Sequence, residues 1–205
     1  MSASTPILAA DDPHALDRAV AELAAGRPII IPTDTVYGLA APAHDAAAVA
    51  QLFSVKRRPP ELSLAALVSG CSQAAEHVDM TDAADLVEAW WPGALTVVVP
   101  KLTASALVIG ADDGTVGVRS PASAFARALA DQVGPIAATS ANRSGEPTLE
   151  TAAAMASEFG REVALIIDAG PLTSPASTVV RVGPDGVQVL RSGGVDVSSV
   201  RGDND

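Results

Sequence analysis

Interleaved helix-like and strand-like segments predict an α/β fold built on a mixed, twisted β-sheet flanked by helices. Three observations carry that expectation. Short apolar or β-branched runs, "PIII" at 28–31, "LTVVV" at 95–99 and "STVVRV" at 177–182, have the length of strands. Alanine-rich stretches with apolar residues at helical spacing lie between such runs, and Gly, Pro and Asp punctuate the junctions. With 205 residues, 48% of them hydrophobic, the chain is sized for one substantial core. A single domain over residues 1–195 is expected, followed by a polar, mobile tail over 196–205.

The elements follow in order. Asp11 and Asp12 precede Pro13, and the Ala/Leu/Val spacing runs through Ala25 to Gly26, the order of acidic cap, early proline and terminal glycine that predicts a helix. The strand at 28–31 runs into Pro32, so residues 33–35 leave the end of a buried strand, where α/β proteins place ligands. Asp45 caps the next predicted helix, which carries Val49, Leu52 and Phe53 at helical spacing and ends in Lys56, Arg57 and Arg58. The helix dipole favours cations at that end even without a ligand. A strand is predicted over 62–68, then a helix from Thr81 to Trp90 and Trp91, both tryptophans packing against the sheet. Strands over 95–99 and 116–119 flank a loop at 101–114, long enough to be a lid or a surface excursion. A helix over 123–133, a small-residue strand leading into Ser140, a helix ending at Phe159, a strand over 164–167 and β segments over 177–182 and 187–191 complete the map.

Composition narrows the function. No apolar run approaches the ~20 residues that span a bilayer, and the first twelve residues lack the basic start and apolar centre of a signal peptide, so a cytoplasmic chain is expected. The single cysteine, Cys71, forms no internal disulfide and no cysteine metal cluster, and His14, His44 and His77 are scattered without ligand spacing. A net charge of −11 disfavours broad contact with nucleic acid, while leaving room for a local basic pocket that holds a small anion.

Three loops carry complementary chemistry. The first offers Thr33, Asp34 and Thr35, backed by Tyr37 and Gly38, as hydroxyls and amides for a small polar substrate; Asp34 suits a turn former or a metal-side residue better than a general base. The second offers Lys56 and Arg58, a point charge and a bidentate fork that together suit a polyphosphate. The third, "TSANRSG" at 139–145, offers Ser140, Asn142 and Ser144 to an anion or a metal-bound phosphate. Each loop has a plain structural reading as well: strand end, helix end and turn.

Taken together, "PTDTVYGL" (32–39), "KRRP" (56–59), "VRSP" (118–121), "TSANRSG" (139–145), "STVV" (177–180) and "LRSGG" (190–194) occur in the order and approximate spacing of the YrdC-like threonylcarbamoyl-AMP synthases, which the chain resembles over residues 29–194. The resemblance implies a YrdC-like sheet with a concave basic cleft, and an enzyme that joins L-threonine, bicarbonate and ATP into threonylcarbamoyl-AMP with release of pyrophosphate, for threonylcarbamoyladenosine in tRNA. It implies Thr35, Arg119, Ala138 and Ser177 on the threonine side. It implies Lys56 and Arg58 at the triphosphate, Thr115, Thr148 and Arg191 at the nucleotide, and Ser140 and Asn142 at the phosphates or a bound magnesium. Magnesium is expected to arrive with ATP, held through phosphate oxygens and water. Transient contact with the machinery that transfers threonylcarbamoyl to tRNA is implied too, while the net charge disfavours direct tRNA binding.

Departures from the pattern are local. Many relatives carry an asparagine and a histidine where this chain has Leu62 and Leu67, and a glycine where it has Arg57. The chain resembles the short, single-domain form. Two other readings share the fold: a non-catalytic RNA-binding module, and a carbamoyltransferase-related hydrogenase-maturation factor, whose acylphosphatase and zinc-finger segments this length and cysteine count do not accommodate.

Overall fold

The computed structural model describes residues 5–59, 62–184 and 186–197. Ten strands form one sheet: β1 (Ile7–Ala9), β2 (Ile29–Ile31), β3 (Gly38–Pro42), β4 (Ala65–Leu67), β5 (Leu95–Pro100), β6 (Thr115–Arg119), β7 (Ile136–Ser140), β8 (Ile166–Asp168), β9 (Thr178–Gly183) and β10 (Gly186–Arg191). Among the described residues six α-helices accompany them: α1 (Ala15–Ala24), α2 (Ala46–Lys56), α3 (Cys71–Ala75), α4 (Ala84–Trp90), α5 (Ala124–Val133) and α6 (Ala152–Phe159). The strand order is β1-β8-β2-β3-β7-β4-β6-β5-β9-β10. Four pairs are parallel (β1/β8, β8/β2, β4/β6, β5/β9) and the other five antiparallel, so the sheet is mixed as expected.

Local chemistry explains most boundaries. Asp45 caps α2 by accepting hydrogen bonds from the Ala47 and Ala48 amides at 2.9 and 3.0 Å. Ser123 caps α5 and Thr151 caps α6 in the same way. Helix α1 begins later than the sequence suggests: Asp12 accepts from the His14 amide at 2.8 Å and spends its carboxylate on the preceding turn. Strands β1 and β3 and helix α3 have no counterpart in the sequence reading. In β3, "GLAAP" lacks the β-branched signature, yet it doubles back from the first loop to pair Leu39 with Ile30 and Thr139. Strand β4 is shorter than the predicted 62–68.

Two apolar clusters sandwich the sheet. The larger fills one face, collecting Leu39, Ala66, Val97, Val99, Val116, Val118 and Val180 with residues of α2, α4 and α6. The smaller lies on the opposite face beneath α1 and α5, where Ala19, Leu23, Ala126 and Leu129 pack on Ile29, Ile31, Ile136 and Leu67. Residues 101–114 are not a lid: Leu107 and Ile109 are buried, and the Val108 amide bonds to the Ala43 carbonyl at 2.7 Å. Both tryptophans pack on the core, with Trp91 Nε1 donating to the Leu95 carbonyl at 2.8 Å. Of the expected tail, Val197 is 4% exposed and packs in the larger cluster, and residues 198–205 lie outside the described residues.

Candidate active site

Helices α1 and α5 cover only part of their face, and the remainder is open. Side chains alternate across a strand, so the partners of the buried valines on β5, β6 and β9 point into this open region. A cavity of about 390 Å³ forms there, lined by Thr96, Val98, Thr115, Gly117, Arg119, Val179 and Arg181, with Ala65, Leu67, Ala138 and Ser140 from neighbouring strands. The register orders these residues into rows. Ala138, Ala65, Gly117, Val98 and Arg181 lie side by side across five strands. Arg119 lies two residues from Gly117 on one side and Thr115 two residues on the other.

At one end of the cavity, Arg119 is 5% exposed and held on three sides. Its Nε donates to the Gly93 carbonyl at 2.8 Å, Nη1 to Thr35 Oγ1 at 3.0 Å and Nη2 to Asp34 Oδ1 at 2.7 Å. Asp34 also accepts from the Ala122 amide at 3.0 Å. Its role is therefore that of a turn residue and counter-ion. Burial lowers the Arg119 proton affinity and Asp34 raises it; a guanidinium stays charged under any such shift in the neutral range. Thr33 braces the loop, accepting from the Thr35 amide at 3.1 Å and donating to the Val36 carbonyl at 2.6 Å. Tyr37, buried behind it, donates to the Gly170 carbonyl at 2.6 Å and accepts from the Ala169 amide at 2.9 Å, tying the loop to the segment after β8. Nearby, Arg191 grips Ser177 through its carbonyl at 2.8 Å and its hydroxyl at 3.0 Å, and that hydroxyl shares a 2.9 Å hydrogen bond with Thr96.

At the other end, among the described residues, Arg58 is held only by two backbone carbonyls, Leu62 at 3.4 Å and Ser63 at 3.0 Å. Burial, and then repulsion from Arg191, lower its proton affinity. Arg191 has the same effect on Arg119, so the guanidinium groups of Arg58 and Arg119, both lining the cavity, feel the charge of a third that lines it too. Lys56 stands beside them but behind the wall. Its ammonium donates to the Ser140 carbonyl at 2.7 Å, Ser140 Oγ at 3.2 Å, the Asn142 carbonyl at 3.1 Å and Asn142 Oδ1 at 2.8 Å. Three N–H groups shared among four oxygens leave none for the cavity. Burial, and then Arg58, bring this ammonium down to about 8.

The structure therefore gathers Thr35, Arg58, Thr115, Arg119, Ala138, Ser140, Ser177 and Arg191 around one cavity, from segments spread over 157 residues of sequence. It sets Lys56 and Asn142 just behind Ser140, and leaves Thr148 exposed and outside the lining. Leu67 lines the cavity wall, whereas Leu62 is 49% exposed and contributes its carbonyl. Arg57 is exposed and has φ 53°, a left-handed conformation that closes α2. That backbone is one that glycine adopts without strain, and Arg57 takes no part in the cavity wall. Sequence reasoning missed Thr96, Asp113 and Arg181 in the lining; the polar residues interrupting the valine runs of β5 and β9 at period two were the available signal for Thr96 and Arg181. It also gave no role to Arg143. This buried guanidinium bonds to Glu158, Glu162 and the Val55 carbonyl and stacks 4.5 Å over Phe159, fastening the 139–145 loop to α2 and α6.

A family model spanning Sua5, YciO and YrdC, described as telomere recombination, matches residues 21–193. The chain belongs to the Sua5/YciO/YrdC family. Within it, a putative threonylcarbamoyl-AMP synthase of Mycobacterium leprae is 39% identical over 185 residues, covering 89% of this chain and 84% of the relative. The threonylcarbamoyl-AMP synthase of Bacillus subtilis is 36% identical over 93% of this chain and 56% of its own length. Among solved structures, Pyrococcus abyssi Sua5 complexed with L-threonine superposes with a TM-score of 0.83 at 33% identity, covering 90% of this chain and 56% of that one. The chain thus spans a little over half of these longer family members and most of the mycobacterial one. Among the described residues, no helix is long and apolar enough to cross a membrane.

Proposed function

We propose that this chain is an L-threonylcarbamoyl-AMP synthase, condensing L-threonine, bicarbonate and ATP to threonylcarbamoyl-AMP and pyrophosphate for tRNA modification. The observation that carries the reading is one open cavity with a rigid arginine–hydroxyl grip, Arg119 with Thr35, on one part of its wall and, on another, Arg58, which among the described residues has only backbone carbonyls for partners, with Arg191 within electrostatic reach of both guanidinium groups. Relatives named for this activity, and a family structure holding L-threonine, support it.

The chemistry follows from the geometry. Arg119 retains an N–H on each of Nη1 and Nη2 beyond its protein partners, enough for the carboxylate of threonine. The threonine amine combines with bicarbonate to give a carbamate and water. A carbamate oxygen then attacks the α-phosphorus of ATP, the bond to the bridging oxygen breaks, and pyrophosphate leaves with the electron pair. No side chain need become covalently attached; the protein holds the reactants in line and offsets charge on the phosphates through Arg58 and Arg191. Lys56 acts at second hand, shaping the Ser140–Asn142 turn that faces the phosphates.

Magnesium travels with ATP in this reading. Ser140 Oγ and Asn142 Oδ1 already face the Lys56 ammonium, and among the described residues no cluster of three or more His, Cys, Asp or Glu could hold the ion. The ion is held by phosphate oxygens and water, with Ser140 and Asn142 adjacent. Hand-off of the product to a tRNA-modifying partner belongs to the same proposal. The test is pyrophosphate release by purified protein given ATP, magnesium, L-threonine and bicarbonate. Release is expected only with the full set; release without threonine, or none at all, refutes the reading.

A further inference from the structure

The middle of the cavity floor is notable for what it lacks. In the row Ala138, Ala65, Gly117, Val98, three adjacent strands place two alanines and a glycine side by side. These residue types are depleted in strands, and a mid-strand glycine weakens one. On β6 the other face differs: Val116 and Val118, which flank Gly117, are large, β-branched and buried, and pair with buried Val99 and Val97 of β5. On β7 and β4 small residues occupy both faces, Ala137 and Ala66 backing Ala138 and Ala65, so it is on β6 that the missing side chain is confined to the face that looks into the cavity.

Packing does not account for Gly117. A Cβ built there would meet only the Thr96 and Val98 γ-methyl carbons, at 3.5 and 3.7 Å, ordinary van der Waals contacts. Gly193 is the contrast: a Cβ on it would fall 2.2 Å from the Ala176 carbonyl oxygen, so the backbone itself demands glycine. Nor does conformation require glycine at 117, which pairs regularly with both Ala65 and Val98 and has no positive φ. The space above Gly117 is thus left open in the folded protein without serving the fold.

Its position says what fills that space. Gly117 lies about 7 Å along β6 from Arg119 and as far from Thr115, between the arginine end and the nucleotide-facing end of the cavity. Resting on the functional reading above, we propose that Gly117 is a specificity-determining residue for the amino-acid substrate: its missing side chain is the floor on which the α-carbon and carbamoylated nitrogen of threonine lie once Arg119 holds the carboxylate. A methyl group at this position lifts the amino acid off the sheet and out of reach of Arg119, while the phosphates, gripped by Arg58 beside Ser63, are not displaced.

Gly117→Ala separates this role from a structural one. Wild type and variant are compared for thermal unfolding, ATP affinity by calorimetry, and threonine-dependent pyrophosphate release. The expected result is an unfolding midpoint equal to or above wild type, ATP affinity within about two-fold, and a threonine KM raised about ten-fold or more, the scale of one misplaced methylene in a packed site. A wild-type threonine KM in the variant overturns the proposal, as does an equal loss of ATP affinity or a lowered unfolding midpoint, which would return Gly117 to packing. Wild-type protein without threonine-dependent release would instead remove the functional reading itself.

Discussion

The two ends of the cavity use the same residue type in opposite ways. Arg119 is buried, paired with Asp34 and hydrogen-bonded to Thr35 and Gly93 before any ligand arrives. Arg58 leans, among the described residues, on two carbonyls and has no counter-ion there to offset Arg191, which repels both guanidinium groups. A preorganised fork suits a small ligand of fixed shape, because little ordering remains to be done on binding. A loosely held one suits a polyphosphate chain, whose charge is spread over several oxygens and whose binding relieves the repulsion between two cations. The difference predicts that mutations at the first end harm fold and function together, and those at the second harm function alone.

Arg119→Ala should have the largest effect. It strands Asp34 beside the site and removes three hydrogen bonds, so urea unfolding should show a loss of about 3 kcal/mol, in the range for breaking a buried pair. Threonine-dependent pyrophosphate release should vanish. Arg119→Lys keeps the charge but not the fork, and should recover stability better than activity. If Arg119→Ala unfolds at the wild-type urea concentration, the first end is no more rigid than the second.

Arg58→Ala comes next. Loss of a charge-assisted contact, about 1.5–3 kcal/mol, corresponds to roughly a 10- to 100-fold weaker ATP affinity. Stability should stay within about 0.5 kcal/mol of wild type, because the side chain is partly exposed and its partners are carbonyls that water can satisfy. Calorimetric titration with ATP reads the first quantity and urea unfolding the second. Near-normal ATP binding would assign Arg58 to the helix end alone.

The contrast also marks what could be read in the sequence. Arg58, Ser140 and Arg191 stand in contiguous motifs, and the alternating helices and strands announced an α/β sheet. The rigid end was legible only in part. Asp34 adjoins Thr35 in sequence, but its partnership with Arg119, 85 residues away, depends on sheet register, which local patterning does not encode. Strand β3 went unseen because "GLAAP" has no strand propensity and is held in place by its neighbours. For Lys56 the motif shows a cation and not its acceptors, the four oxygens of residues 140 and 142 to which it donates.

That inward lysine supplies the subtlest test of the comparison, through pH. Its ammonium titrates near 8 in the folded protein, against 10.5 for a free lysine, through burial and then Arg58. Between those values the folded chain has released a proton that the unfolded chain still binds, so this group adds stability as pH rises through the window and withholds it below. Activity should move the other way. A neutral amine has two N–H groups for four oxygens and no charge, so the Ser140–Asn142 turn slackens just as the group ceases to oppose folding. kcat/KM for ATP, which reports the free enzyme, should therefore decline above about pH 8 without a matching loss of stability. Arg58→Ala removes the second of the two causes and should move this alkaline limb to higher pH, on top of its lower plateau. A limb that stays in place would mean that Lys56 does not sense the phosphate end, and that the looseness there belongs to Arg58 alone.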